Sequence, residues 1–207
     1  MQHTPTRKNP MRLMSAAALC ALSMTAHAAD VVTINFDDLA HGALVGSSYA
    51  AQGVTFANAK ALDITLTGSS APNVIFHAGG LNPQPVDPLR FVFSSDVSEV
   101  SIDALDAGEN GARLEAFDGG GAMLGFFQYI GVGSGYHNVT SLGLSAAGIR
   151  RVDLFQPIAG ATSAGEGLVF DNLRFVVAAP VPEPATAALW LAGLAAMGWV
   201  GRRRRAG

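Results

Sequence analysis

Apolar and polar positions along this chain alternate over short distances. VVTINF, GVTFA, LDITL, NVIF, LRFVF, VSEVSIDA, ARLEAF, AMLGFFQYI, VTSLGL, RRVDLF and GLVFDNLRFVV form the apolar runs between positions 31 and 177. They are rich in Val, Ile, Phe and Thr, Gly, Asn, Asp and Pro break them, and none sustains a helical period over three turns. Many short strands at near-regular spacing predict an all-β fold, an antiparallel β-sandwich of the jelly-roll kind. LDAGENGARL (105–114) and FDGGGAML (117–124) read as hairpin connections, with glycine available for positive φ. The proline-rich LNPQPVDPLR (81–90) is unsuited to a strand and serves as a connector or as the rim of a binding face.

Two echoes stand out within that pattern. INFDDL (34–39) lies near the start of the domain and LVFDNLRF (168–175) near its end, each with an aspartate directly after a strand phenylalanine. At a period of two, Val169, Asp171, Leu173 and Phe175 share a largely apolar face, and Val32, Ile34, Phe36 and Asp38 align likewise before a break at Asp37-Asp38. A buried aspartate is costly unless it is paired or metal-bound. First and last strands lie side by side in many sandwiches, which would bring the aspartates together. One reading is a Ca²⁺ site built from Asp37, Asp38, Asp171 and Asn172, with a backbone carbonyl near Gly53, because oxygen-only ligands favour that ion. The other is that Asp37 and Asp38 begin a turn while Asp171 caps a backbone hydrogen bond.

Charge narrows the partners. The chain of 207 residues has a formal net charge of -3, but seven of its 13 basic residues lie in the two ends. Between residues 29 and 180 six basic residues face fifteen acidic ones, which excludes a cationic nucleic-acid surface. The single cysteine, Cys20, permits neither a disulfide nor a thiolate metal site in the rest of the chain.

The two ends read as addresses. Arg7, Lys8 and Arg12 precede an apolar stretch from Leu13 to Met24, and Ala26-His27-Ala28 supplies small residues at a cleavage site. Residues 1–28 are therefore expected to be a secretory signal peptide. The sandwich domain follows over 29–177 and a Pro-rich linker over 178–184. An apolar, uncharged stretch over 185–201 is expected to be a transmembrane helix, with residues 202–207 as a basic cytoplasmic tail. The prolines of Val181-Pro182-Glu183-Pro184 keep that strip out of the helix and extended beside the bilayer, where a membrane protease can read it.

Chemistry is sparse between the ends. HExxH and GxSxG patterns are absent. Ser134 and His137 in GVGSGYHN sit in a glycine-rich turn without a third partner, and His41, His77 and His137 match no metal-ligand spacing. Glu99, Glu115 and Glu166 form no marked glycosidase pair, so no enzymatic activity is expected. Both tryptophans are in the C-terminal apolar stretch, which leaves Tyr136 as the best exposed candidate for a sugar platform.

The order Val181-Pro182-Glu183-Pro184, apolar stretch, then Arg202, Arg203, Arg204 and Arg205 resembles the PEP-CTERM sorting signal. That resemblance implies processing by an exosortase and a membrane-anchored precursor that ends at the cell surface or in the extracellular matrix of a biofilm. FDDL, YAAQGVTF, APNVIF, LEAFDGGGAMLG, IRRVDLF and FDNLRF together look like a recurrent ectodomain of PEP-CTERM proteins, similar to the galactose-binding-like jelly rolls of carbohydrate-binding modules. In such modules a structural calcium joins the first and last strands, which implies Asp37 and Asp171 here. The function expected is an exported, non-catalytic sandwich protein near extracellular polysaccharide. The alternatives are a calcium-stabilised carbohydrate-binding module and, behind it, a secreted hydrolase.

Overall fold

A computed structural model of the chain describes residues 30–158, residues 167–178 and Gly193. The expected signal peptide and basic tail lie outside the described residues, as do the linker and the membrane helix apart from Ala178 and Gly193. Among the described residues no helix is long and apolar enough to cross a membrane. Among the described residues nine strands follow one another: β1 Asp30–Ile34, β2 Val54–Ala57, β3 Ala59–Asp63, β4 Asn73–His77, β5 Leu89–Leu105, β6 Ala112–Phe117, β7 Met123–Tyr129, β8 Val139–Phe155 and β9 Val169–Val177. Every pairing between them is antiparallel, so the all-β class expected from the apolar pattern holds.

Two strands of 17 residues organise the molecule. LRFVF and VSEVSIDA, which read as separate strands, are one strand, β5; VTSLGL and RRVDLF are likewise joined in β8. The polar and small residues between the runs form β-bulges instead of turns, with register shifts between Val92 and Glu99 of β5 opposite Ser145 to Arg151 of β8. A bulge inserts an unpaired residue, sharpens the local twist and changes the parity of inward-facing positions. Buried residues accordingly run Leu89, Phe91, Phe93 before the bulge and Val100, Ile102, Ala104 after it.

The bend carries both strands through two layers. In the first, the N-terminal half of β8, the C-terminal half of β5 and β9 lie side by side, and β9 continues to β1 and to β4, which pairs β3. In the second, β2 pairs the N-terminal half of β5, followed by the C-terminal half of β8, β6 and β7. Phe36 of the first layer meets Phe56 of the second edge to face at 5.7 Å, and Phe56 meets Phe91 at 4.9 Å. Such pairs add about 0.5–1.5 kcal/mol each to the burial of their area. Segment 117–124 is a hairpin turn as expected, between β6 and β7. Segment 105–114 is not: β5 and β6 each pair β8 and not one another, so residues 106–111 pass from one layer to the other.

Candidate functional site

The outer face of the first layer holds the predicted aspartates. β1 pairs β9 from Asp30↔Val177 to Ile34↔Leu173, so the first and last strands are neighbours. The common face predicted for Val169, Asp171, Leu173 and Phe175 does not form. Asn172 adopts φ 50°, and the register between β5 and β9 slips there, placing Leu173 and Phe175 in the main core. Val169 instead joins Val74 and Leu105 in a small cluster on the outer face, against Leu62, Leu66 and Phe76. Asp171 lies beside it, fully buried under the segment 64–72 that links β3 to β4.

Hydrogen bonds satisfy that burial. Asp171 Oδ2 accepts from Ser70 N at 2.6 Å and Ser70 Oγ at 2.9 Å, and Oδ1 accepts from Asn172 N at 2.7 Å. Asp37, in a turn just after β1, accepts from Asn73 N at 2.9 Å and from Asn35 Nδ2 at 2.7 Å. Burial raises the Asp171 pKa, the hydrogen bonds from Asn172 and Ser70 oppose that rise, and the charge of Asp37 adds to it. Phe36 and Asn172, next to these carboxylates, both have left-handed backbone, at φ 62° and 50°. For a buried phenylalanine that conformation costs on the order of 1–3 kcal/mol and persists only where the surroundings enforce it.

The other predicted ligands point elsewhere. Tyr49 Oη donates to Asp38 Oδ1, and burial together with the Asp38 and Asp37 charges pushes the phenol pKa up. Asn172 Nδ2 donates to Asp103 Oδ2 at 3.0 Å, and the Gly53 carbonyl accepts from Ser94 N. Asp37, Asp171, Ser70 Oγ and the Asn35 carbonyl therefore form the oxygen cluster, with Ser70 Oγ 3.1 Å from Asn35 O. Among the described residues no three His, Cys, Asp or Glu side chains group closely enough to hold a metal. The turn and cap geometry of the second reading is what these residues adopt. All the clustered atoms are hard oxygen donors with lone pairs to spare, a chemistry that suits Ca²⁺.

The outer face of the second layer was not singled out in the sequence. Four of the six basic residues between 29 and 180, Arg90, Arg113, Arg150 and Arg151, come to this side of the molecule. Arg90 grips Asp153 through Nε at 2.6 Å and Nη2 at 2.9 Å. Arg151 lies over the Phe117 ring and Arg113 over Phe126, both at 3.9 Å. Arg113 also reaches Glu115 at 2.8 Å and Gln128 at 2.9 Å. Phe126 and Val92 remain about half exposed, at 53% and 42%. The signal available in the sequence was the alternation inside RRVDLF and ARLEAF, whose polar members must share one face. Which strands stand beside each other, and hence that the arginines meet, is not written in either run.

Tyr136 is 66% exposed and packs on the His137 ring at 3.9 Å. His137 Nδ1 is 3.0 Å from Thr67 Oγ1, which makes this pair part of a loop contact and not of a nucleophile–base pair with Ser134.

Residues 180–205 match the PEP-CTERM protein-sorting motif. None of the curated proteins compared with the chain matches it. Among solved structures the chain is similar to a family 35 carbohydrate-binding module from Clostridium thermocellum, with 13% identity, a TM-score of 0.40 and coverage of 72% of this chain and 99% of that one. It is also similar to the C-terminal CBM6 of LamC from Zobellia galactanivorans (11%, TM-score 0.37, 71% and 99%). The tandem CBM22 domains of Xyn10C from Paenibacillus barcinonensis show 16% identity, a TM-score of 0.42 and coverage of 77% and 48%. At such identities and scores these likenesses place no ligand on this chain. The sorting motif marks an exported, surface-directed protein whose described part is an antiparallel β-sandwich.

Proposed function

We propose that this chain is an exported, non-catalytic glycan-binding sandwich, released or attached at the cell surface after an exosortase-type enzyme cuts its tail. The observation that carries the reading is the outer face of the second layer, where arginine–phenylalanine stacks alternate with Asp153, Glu115 and Gln128. Sugars are amphipathic, with apolar ring faces and hydrogen-bonding edges, and a flat surface that interleaves the two matches them. The acidity of the rest of the domain favours a polysaccharide partner in the extracellular matrix over nucleic acid.

The same proposal includes a structural Ca²⁺ on the other face, held by Asp37 and Asp171 with Ser70 Oγ and the Asn35 carbonyl as neutral donors. Bound there, the ion would neutralise two neighbouring carboxylates of which one is buried. Asp38 and Asn172 take no part in that set.

Two measurements test the reading. In a host with an exosortase, Glu183→Ala or removal of Arg202 to Arg205 leaves most of the protein unprocessed in the membrane fraction; normal processing of both variants removes the sorting half of the proposal. On an array of neutral and acidic glycans, the full chain in detergent binds a subset, and Arg113→Ala with Phe126→Ala weakens that binding at least tenfold. No retention of any glycan removes the binding half.

A further inference from the structure

A cleft of about 380 Å³ opens on the second layer, between the glycine turn of the β6–β7 hairpin and the bulged part of β8. Its walls are Arg150, Arg151, Val92 and the Asp118-Gly119-Gly120-Gly121 turn. The size is within the range of small-ligand sites. Resting on the glycan-binding reading, we propose that this cleft takes the carboxylate of an acidic sugar, a uronic-acid residue within a polysaccharide.

The argument starts from the two guanidinium groups. Arg151 Nε is buried without a hydrogen-bond partner among the described residues, and its nearest carboxylate, Asp153, is 3.6 Å away. Asp153 is already held by both nitrogens of the Arg90 fork. Arg150 Nη1 stands 3.6 Å from Asp96, a side chain 63% exposed. Among the described residues, each cation of the cleft is thus paired with a carboxylate only at 3.6 Å, beyond hydrogen-bonding distance. A planar guanidinium gains most from a planar, bidentate acceptor, which a carboxylate supplies.

The remaining walls select for a sugar that carries this group. Asp118 Oδ1 accepts from Gly120 N at 2.9 Å and Ala122 N at 2.8 Å, which fixes the turn. Its Oδ2 is left to accept a hydroxyl, and its charge disfavours a doubly charged phosphate. Gly121 adopts φ 84° with open space where a Cβ would stand, so the turn presents backbone with no side chain over the cleft. Val92, lining the cleft and 42% exposed, offers an apolar surface to a pyranose face.

The test is calorimetric titration of the full chain in detergent with an oligouronate, with the same oligosaccharide after carboxyl reduction, and with acetate. The inference expects the oligouronate to bind at least tenfold more tightly than its reduced form and acetate to bind far more weakly. Arg151→Gln and Arg150→Gln should each weaken the oligouronate at least tenfold more than they weaken the reduced form. Either variant suffices should the other fail to fold. Equal affinity for the acidic and reduced forms overturns the acidic-sugar inference while the glycan reading stands. Acetate binding as tight as the oligouronate overturns the sugar part and leaves a simple anion site. No binding of any of the three to this cleft, with other glycans still retained on an array, rejects the inference alone; no retention anywhere rejects both.

Discussion

On the outer face of the first layer, Val74, Leu105, Val169 and Asp171 lie beneath segment 64–72, and their polar atoms are paired within the chain. On the outer face of the second, Val92, Phe126 and the arginine stacks face water, and the two cations of the cleft meet their carboxylates only at 3.6 Å. Both faces are built on the same two long strands. The difference lies in the connecting segments: β3 continues into nine residues that fold back over their own sheet, whereas β6 turns through glycines into an edge strand. A covered face commits its polar groups to its own architecture, and an open one keeps them for a partner.

The largest effect should come from Asp171→Ala. It strips the acceptor from Ser70 N, Ser70 Oγ and Asn172 N under a covered surface, a loss of about 2–4 kcal/mol in chemical denaturation. The folded fraction should retain glycan as before, and impaired binding at unchanged stability would dissolve the distinction between the faces. Next comes Arg90→Ala, which leaves the buried Asp153 with only Arg151 at 3.6 Å. Because Arg90 is 38% exposed, the cost should be nearer ~1–2 kcal/mol than the full value of a buried pair.

A third measurement sharpens the contrast through pH. The folded-state pKa of Asp171 lies above its ordinary 3.8, chiefly through burial. Protonation therefore favours the native state: this contribution is fully present below pH 3.8 and is lost as pH rises through the folded pKa. Without added metal, Asp171→Asn should remove that decline from the pH dependence of the melting temperature. Calcium should reverse the sign for wild type, and identical melts in chelator and in excess Ca²⁺ would reject the ion. The smallest effect is expected for Phe126→Ala, a change within about 1 kcal/mol in stability, since the ring is 53% exposed, with its consequence confined to glycan retention.

The sandwich itself was legible in the chain because period-two alternation and glycine punctuation are local properties. So was the neighbourhood of Asp37 and Asp171, through the FDDL and FDNL echoes at the first and last strands. What escaped were the joints. Ser94-Ser95-Asp96 reads like a turn but sits within β5, and Asn172 breaks the period of β9, moving Asp171 to the face opposite Leu173 and Phe175. Bulges look like loops in a sequence because both need polar or small residues.

By itself, then, the amino-acid sequence determined the strand-rich class, the acidic balance of the domain and the sorting motif at its end, each of which depends on residue type and short spacing alone. Only the tertiary structure decided that four scattered arginines share one surface, and that one aspartate is buried while its neighbour Asn172 turns back on Asp103. The physical reason is that strand order and bulge position are set by contacts between residues tens of positions apart. A short apolar run contains no record of which other run will lie beside it.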